Sequence, residues 1–178
     1  LRFPSMYEMY QEIAGAQEEA SQDLQRMYEQ AKKTKEEIDK LAQEMKKDPN
    51  LNWEQKQKLS EGAGATQKMQ EEMQKLQEKM QEMVDTMERN NLLSPQTLEK
   101  YQELQNLLQE MKSPELQKAL EEMQKAMQNL DPEKLQEAMK NFQFSQDEFL
   151  KSLERTINLL KQVQAEQKLD EAIKKTED

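Results

Sequence analysis

Between Thr66 and Met87 the chain reads TQKMQEEMQKLQEKMQEMVDTM, with apolar residues at Met69, Met73, Leu76, Met80, Met83 and Met87. Steps of four and three in alternation place one narrow stripe on one face of a helix, as in the seam of a coiled coil. Gln, Glu and Lys fill nearly every other position. Such a helix can bury apolar surface only by laying this stripe against another stripe. The whole chain follows suit, being 34% hydrophobic and 35% charged, against roughly 45–50% apolar in a typical globular chain. A compact spherical core is therefore excluded. A net charge of −10 with low hydrophobicity could also mean disorder, but a disordered tract does not hold a heptad phase over tens of residues. Thin helical rods are expected.

Ahead of that stretch, Ser5 after Pro4 suits an N-cap. A second stripe then runs through Met6, Tyr10, Ile13, Gln17, Ala20, Leu24, Met27, Ala31, Thr34, Ile38, Leu41 and Met45. Gln17, Ala31 and Thr34 weaken its seam, and the small residues would allow a partner helix to come close. Asp48-Pro49 stops the helix, since proline disfavours helical geometry in the residue before it. Asn52 with Gln55 has the pattern of a capping box, and a second helix follows whose seam opens with Leu59, Gly62 and Thr66. The short connection predicts an antiparallel coiled-coil hairpin over residues 5–90, with helices at 5–47 and 52–90. Gly62 and Gly64 lie inside the second helix, where close packing is the favoured explanation and a hinge the other.

Beyond Asn90 three helix starts recur at nearly equal spacing: Ser94-Pro95-Gln96, Ser113-Pro114-Glu115 and Asp131-Pro132-Glu133. Each offers a capping oxygen followed by proline at the first helical position. Leu93 with Leu98 and Leu130 with Leu135 add hydrophobic staples. The pattern fits a degenerate repeat and fits equally a chain reusing a good helix start. Short helices are expected at 95–111, 114–129 and 132–141. Asn141-Phe142-Gln143-Phe144 predicts a break, after which Ser145 with Glu148 forms a capping box and Phe144 with Phe149 a staple. A final long helix is expected at 146–175. The fold class is thus all-α, an elongated helical bundle in which the later helices fold back on one another or on the base of the hairpin.

Several functions are excluded by residue content. The chain has no cysteine and no histidine, which removes thiol catalysis, zinc–thiolate sites, the commonest general base and the commonest metal ligand. A di-metal bundle would need Glu-x-x-His. Carboxylate pairs such as Glu18-Glu19, Glu36-Glu37 and Glu71-Glu72 fall between seam positions, on faces expected to be wet, whereas acid/base catalysis needs carboxylates held in contrasting environments. Lys32, Lys33 and Lys35 are followed at once by Glu36-Glu37. Interleaved signs of charge suit solvated helix faces and argue against nucleic acid and anionic membrane surfaces. No stretch approaches the roughly 20 apolar residues of a membrane helix. No catalytic residue, cofactor or metal ligand is expected, and the chain is expected not to be an enzyme. It opens Leu1-Arg2-Phe3-Pro4 without an initiator Met or a signal pattern, so a piece of a longer protein, or a processed product, is expected.

The candidate partner-binding residues are Met69, Met73, Met80, Met83 and Met87, with Phe142, Phe144 and Phe149. Methionine is a good helix former that fills irregular seams, so the stripe is explained by intramolecular packing. A Met-lined groove that holds apolar client helices is the alternative. The three phenylalanines, the densest aromatic cluster, suit the core of a small helical bundle, with a peptide-docking site as the alternative.

The runs LLSPQTLEKYQELQNLLQEM, LDPEKLQEAMKNFQFSQDEFLKSLERT and INLLKQVQAEQKLDE, within Leu92–Glu171, resemble the coiled-coil region of a family of large bacterial proteins. These proteins, common in the Bacteroidetes and Chlorobi lineages, carry membrane helices followed by a long Gln/Glu/Lys-rich helical part of unknown function. The resemblance covers half to all of this chain. It implies a bacterial envelope setting, with membrane anchoring supplied by a part of the protein outside this sequence. The expected function is a structural or interaction segment, a spacer or docking arm, whose partners are proteins: copies of itself or a larger assembly. The chaperone-like clamp is the second expectation.

Overall fold

The computed structural model describes residues 2–177. They form five helices: α1 (Met6–Lys47), α2 (Trp53–Arg89), α3 (Pro95–Glu110), α4 (Pro114–Gln128) and α5 (Pro132–Glu177). No strand occurs among the described residues. The architecture is an all-α, elongated bundle. At 1.5 Å per residue, α1 is about 63 Å long and α5 about 69 Å.

Local chemistry sets the ends. Ser5 Oγ accepts from the Glu8 N–H at 3.2 Å while the Ser5 N–H donates to Glu8 Oε2 at 2.7 Å, a complete capping box. Asn52 and Gln55 repeat it at the start of α2. Ser94 and Ser113 cap α3 and α4, each followed by proline, and Asp131 Oδ1 accepts from the Glu133 and Lys134 N–H groups at the start of α5. α2 ends at Asn90, with Asn91 in the left-handed region at φ 51°. The Leu92 N–H reaches Met87 O and the Asn91 N–H reaches Glu88 O, the paired bonds of a Schellman motif.

Four rods share one core. α2 runs antiparallel to α1, with ion pairs Arg26–Glu72 and Lys79–Glu19 holding one register along the pair. α3 and α4 follow one another in a third rod, interrupted at Met111–Ser113, that lies beside α2 and α5. α5 returns antiparallel to that rod and packs along α1, its most extensive neighbour. Gln136 near the start of α5 donates to the Met45 carbonyl near the end of α1, and Lys175 near the end of α5 lies over the Tyr7 ring. The result is an up-down-up-down arrangement. The expected antiparallel α1–α2 pairing is present, yet packing does not divide at residue 90. A single apolar core runs from Tyr10 to Val163, and the later helices flank the hairpin along its length rather than gathering at its base.

The expected break at Asn141–Ser145 is absent, because α5 continues unbroken from Pro132 to Glu177. Leu135, Ala138, Met139, Phe142, Ser145, Gln146, Phe149 and Leu153 are all buried, a stripe that keeps its phase only if the helix passes straight through. No glycine or proline follows Pro132 in α5 to interrupt it. Bonds to α1 straddle the site: Gln143 Nε2 donates to Asp39 Oδ1 at 2.7 Å, and Lys35 Nζ lies 3.2 Å from Asp147 Oδ1. Lys35 also bonds Asp39 at 2.7 Å, which with Asp147 raises its ammonium pKa. Tertiary packing here overrides a local start signal.

The two α2 glycines differ. A Cβ on Gly62 would meet Ile38 Cδ1 at 3.2 Å and Thr34 Cγ2 at 3.4 Å, so this backbone rests against α1; a Cβ on Gly64, or on Gly15 in α1, would meet nothing within 4 Å. Gly64→Ala and Gly15→Ala should therefore each stabilise the fold by about 0.5–1 kcal/mol. Gly62→Ala should gain less, because the new methyl presses on Ile38. Urea unfolding of the three variants checks the order, and equal gains would contradict the close contact at Gly62.

Candidate functional site

The five candidate methionines, Met69, Met73, Met80, Met83 and Met87, are all buried, and α1, α3 and α4 surround the helix that carries them. Leu76, the remaining member of the stripe, is buried with them. Phe142 and Phe149 are buried on α5, whereas Phe144 is 71% exposed. The structure thus splits the aromatic trio: in a continuous helix Phe142 and Phe149 share the inward face, and Phe144, two residues from Phe142, is turned to solvent.

The feature that composition and motif reading missed is a polar layer inside the apolar core. Gln17 on α1, Tyr101 on α3 and Gln167 on α5 are each buried. The Gln17 amide donates to both Tyr101 Oη and Gln167 Oε1, and the Tyr101 hydroxyl donates to Gln167 Oε1 at 2.5 Å. Three side chains close a triangle across the bundle, spanning the diagonal between α1 and α3. Gln17 was visible in the sequence only as a weak place in the α1 seam. Its partners lie on two other rods, and no local pattern links the three.

The layer continues toward the end of the bundle where α3 begins. Asp170 Oδ2 on α5 accepts from the Ser94 N–H at 3.2 Å, the Ser94 hydroxyl at 3.0 Å and the Thr97 hydroxyl at 2.7 Å. A carboxylate at the N-terminus of a helix complements its unpaired N–H groups and its dipole, so α5 helps to cap α3. Lys100 on α3 pairs with Glu166 on α5. Tyr10 on α1 donates to the Leu92 carbonyl at 3.2 Å, tying α1 to the turn between α2 and α3.

The Gln17–Tyr101–Gln167 triangle is itself uncharged, with the Asp170 carboxylate beside it. Burial pushes the Tyr101 phenol well above the tyrosine range; the hydrogen bond from Gln17 offsets this in part, and the negative charge of Asp170 adds to it. Tyr10 is raised for the same first reason, with Asp170 and Glu171 contributing. A phenol held in its protonated form is a hydrogen-bond donor, and this arrangement suits fixing helices in register. Among the described residues, no group of three His, Cys, Asp or Glu is placed to hold a metal ion. No described helix is long and apolar enough to cross a membrane. The clefts between rods are shallow; one of about 320 Å³ opens between α1 and α5 beside Met45, Lys46, Met139 and Lys140.

No family model matches the sequence, and no curated protein or solved structure matches the chain.

The folded state binds the Tyr101 proton more tightly than the unfolded state does. Stability from this group is therefore complete below the ordinary tyrosine value of 10.0 and falls as pH rises above it. Tyr101→Phe should flatten that alkaline loss. It should also cost about 1–3 kcal/mol at neutral pH, because the buried Gln17 and Gln167 amides lose a partner. Urea unfolding of both proteins from pH 7 to 11 checks the two effects, and an alkaline limb unchanged by the substitution would contradict the assignment.

Proposed function

We propose that this chain is a non-enzymatic interaction element, a stiff docking arm of a larger bacterial envelope-associated protein. The observation that carries the reading is the fate of the methionine stripe. Met69, Met73, Met80, Met83 and Met87 are consumed inside the bundle, leaving outer faces that are mostly Gln, Glu and Lys with isolated apolar residues such as Trp53 and Leu169. A body of that kind positions something rather than transforming it. Exposed ion pairs such as Lys58–Glu54 and Lys118–Glu122 contribute solubility more than stability.

The geometry favours an arm over an in-line spacer. The start of α1 and the end of α5 lie at the same end of the bundle, with Lys175 Nζ 5.4 Å from the Tyr7 ring centroid. A polypeptide continuing on both sides would carry the bundle as a projection and would not gain its length. The envelope setting follows from the resemblance of Leu92–Glu171 to the Gln/Glu-rich helical part of membrane-anchored proteins. Partners are proteins of the larger assembly, met on the outer faces because the core stripes are already paired within the chain.

The alternative, a clamp that holds apolar client helices on the methionines, requires those sulfurs to meet solvent in the folded protein. Peroxide oxidation followed by peptide mass mapping separates the two. Met6, at 41% exposure, should oxidise first, and the five stripe methionines should react only as the fold is lost. Rapid oxidation of Met69–Met87 in protein that keeps its helical circular dichroism would sink the arm reading in favour of the clamp.

A further inference from the structure

Three oddities coincide in one turn of α5. Gln146 has 0% exposure, and neither its side-chain N–H₂ nor its carbonyl oxygen has a hydrogen-bond partner. Buried amides are almost always paired, so the closed helix is penalised at this position. Phe144 is a large apolar side chain left 71% exposed. Directly after Phe144, Ser145-Gln146-Asp147-Glu148 carries the same Ser-x-x-Glu spacing that forms a complete capping box at Ser5-Met6-Tyr7-Glu8.

We propose that α5 is a two-state element that opens by breaking at Ser145. In the open state the Ser145 hydroxyl accepts from the Glu148 N–H, and the Glu148 carboxylate accepts from the Ser145 N–H. Phe144 packs on Phe149 as a hydrophobic staple. Gln146 becomes the first helical residue, with its amide in water, and Asp147 sits in the first turn, where a negative charge is favourable. Each of the three oddities is thereby resolved by one change.

The mobile unit is defined by two joints. The first is the interruption between α3 and α4 at Met111–Ser113, and the second is Ser145. Between them α4 and the beginning of α5, residues 113–144, form a helical hairpin that moves as a flap. Clefts of about 250, 320 and 440 Å³ border this unit, at Met127 and Leu135, at Met139 and Gln143, and at Ala126 and Ala138. In the closed state the Gln143–Asp39 and Gln136–Met45 contacts hold the flap to α1, and Lys35–Asp147 ties α5 to α1 just beyond the joint. Opening releases the first two and uncovers the buried residues Leu41 and Met45.

Residue-resolved amide hydrogen exchange of the intact protein tests this, since it detects openings of low population. A break capped by Ser145 frees the N–H groups of Gln146 and Asp147 and keeps that of Glu148 bonded. Gln146 and Asp147 should exchange at least about tenfold faster than Ala138 and Leu153 on either side. Gln146→Leu, which removes the penalty in the closed helix, should slow them. Phe144→Ala should slow them too, although Phe144 is exposed in the closed state, and by more than the exposed Asn158→Ala, which controls for helix propensity. Uniform protection across residues 135–160 in wild type would overturn the proposal. A Phe144→Ala effect no larger than that of Asn158→Ala would overturn it equally.

Discussion

Each rod of this protein has a single apolar stripe, and that scarcity dictates the architecture. A chain that is 34% hydrophobic cannot cover a stripe with one partner and still leave a core. The stripes of α1, α2, the α3–α4 rod and α5 therefore converge on one axis, where each is shielded by two neighbours. α1 illustrates the result. Its seam from Tyr10 to Met45 is buried without a gap, although Gln17, Ala31 and Thr34 lie in it. The small residues allow close approach, seen where Thr34 and Ile38 meet Gly62. Methionine suits such a core because an unbranched side chain fills the uneven space between long rods and small neighbours.

An axis of convergent stripes does not by itself fix how far each rod slides. Sulfur and methylene contacts are nearly indifferent to a shift of one heptad, and Gln-rich faces add no preference. The Gln17–Tyr101–Gln167 triangle removes that freedom. Sliding α5 by two turns would leave buried amides unpaired, which costs more than any lost van der Waals contact at one layer. Polar residues buried in helical seams are known to set register in this manner. Asp170 at the start of α3 enforces the same alignment from the other side of the layer. Stability comes from the stripes, and uniqueness comes from the polar layer.

Much of this was legible in the residues. Every member of the predicted α1 stripe except Met6 is buried, as is every member of the α2 stripe, because a 3.5-residue period has one structural meaning. Ser5, Asn52, Ser94 and Ser113 cap the helices they were expected to cap. Two things were not legible. The pairing of Gln17 with Tyr101 and Gln167 joins positions far apart in sequence, and nothing local marks it. The continuity of α5 through Asn141–Ser145 was misread because Ser145, Glu148 and the phenylalanines make a complete start signal. The apolar phase running through Phe142, Gln146 and Phe149 outweighs it in the closed bundle. The methionine stripe was read as an intramolecular seam, and its burial among α1, α3 and α4 agrees with that reading.

One chain closes its own four-rod bundle, with no core stripe left for a second copy. Small-angle X-ray scattering with in-line light scattering measures this most directly. A closed single-chain bundle should show a mass of 21.1 kDa and a maximum dimension of about 70–80 Å, the length of α5 with its side chains. A mass twice as large, or a monomer extending beyond about 100 Å as a hairpin with trailing helices would, contradicts it.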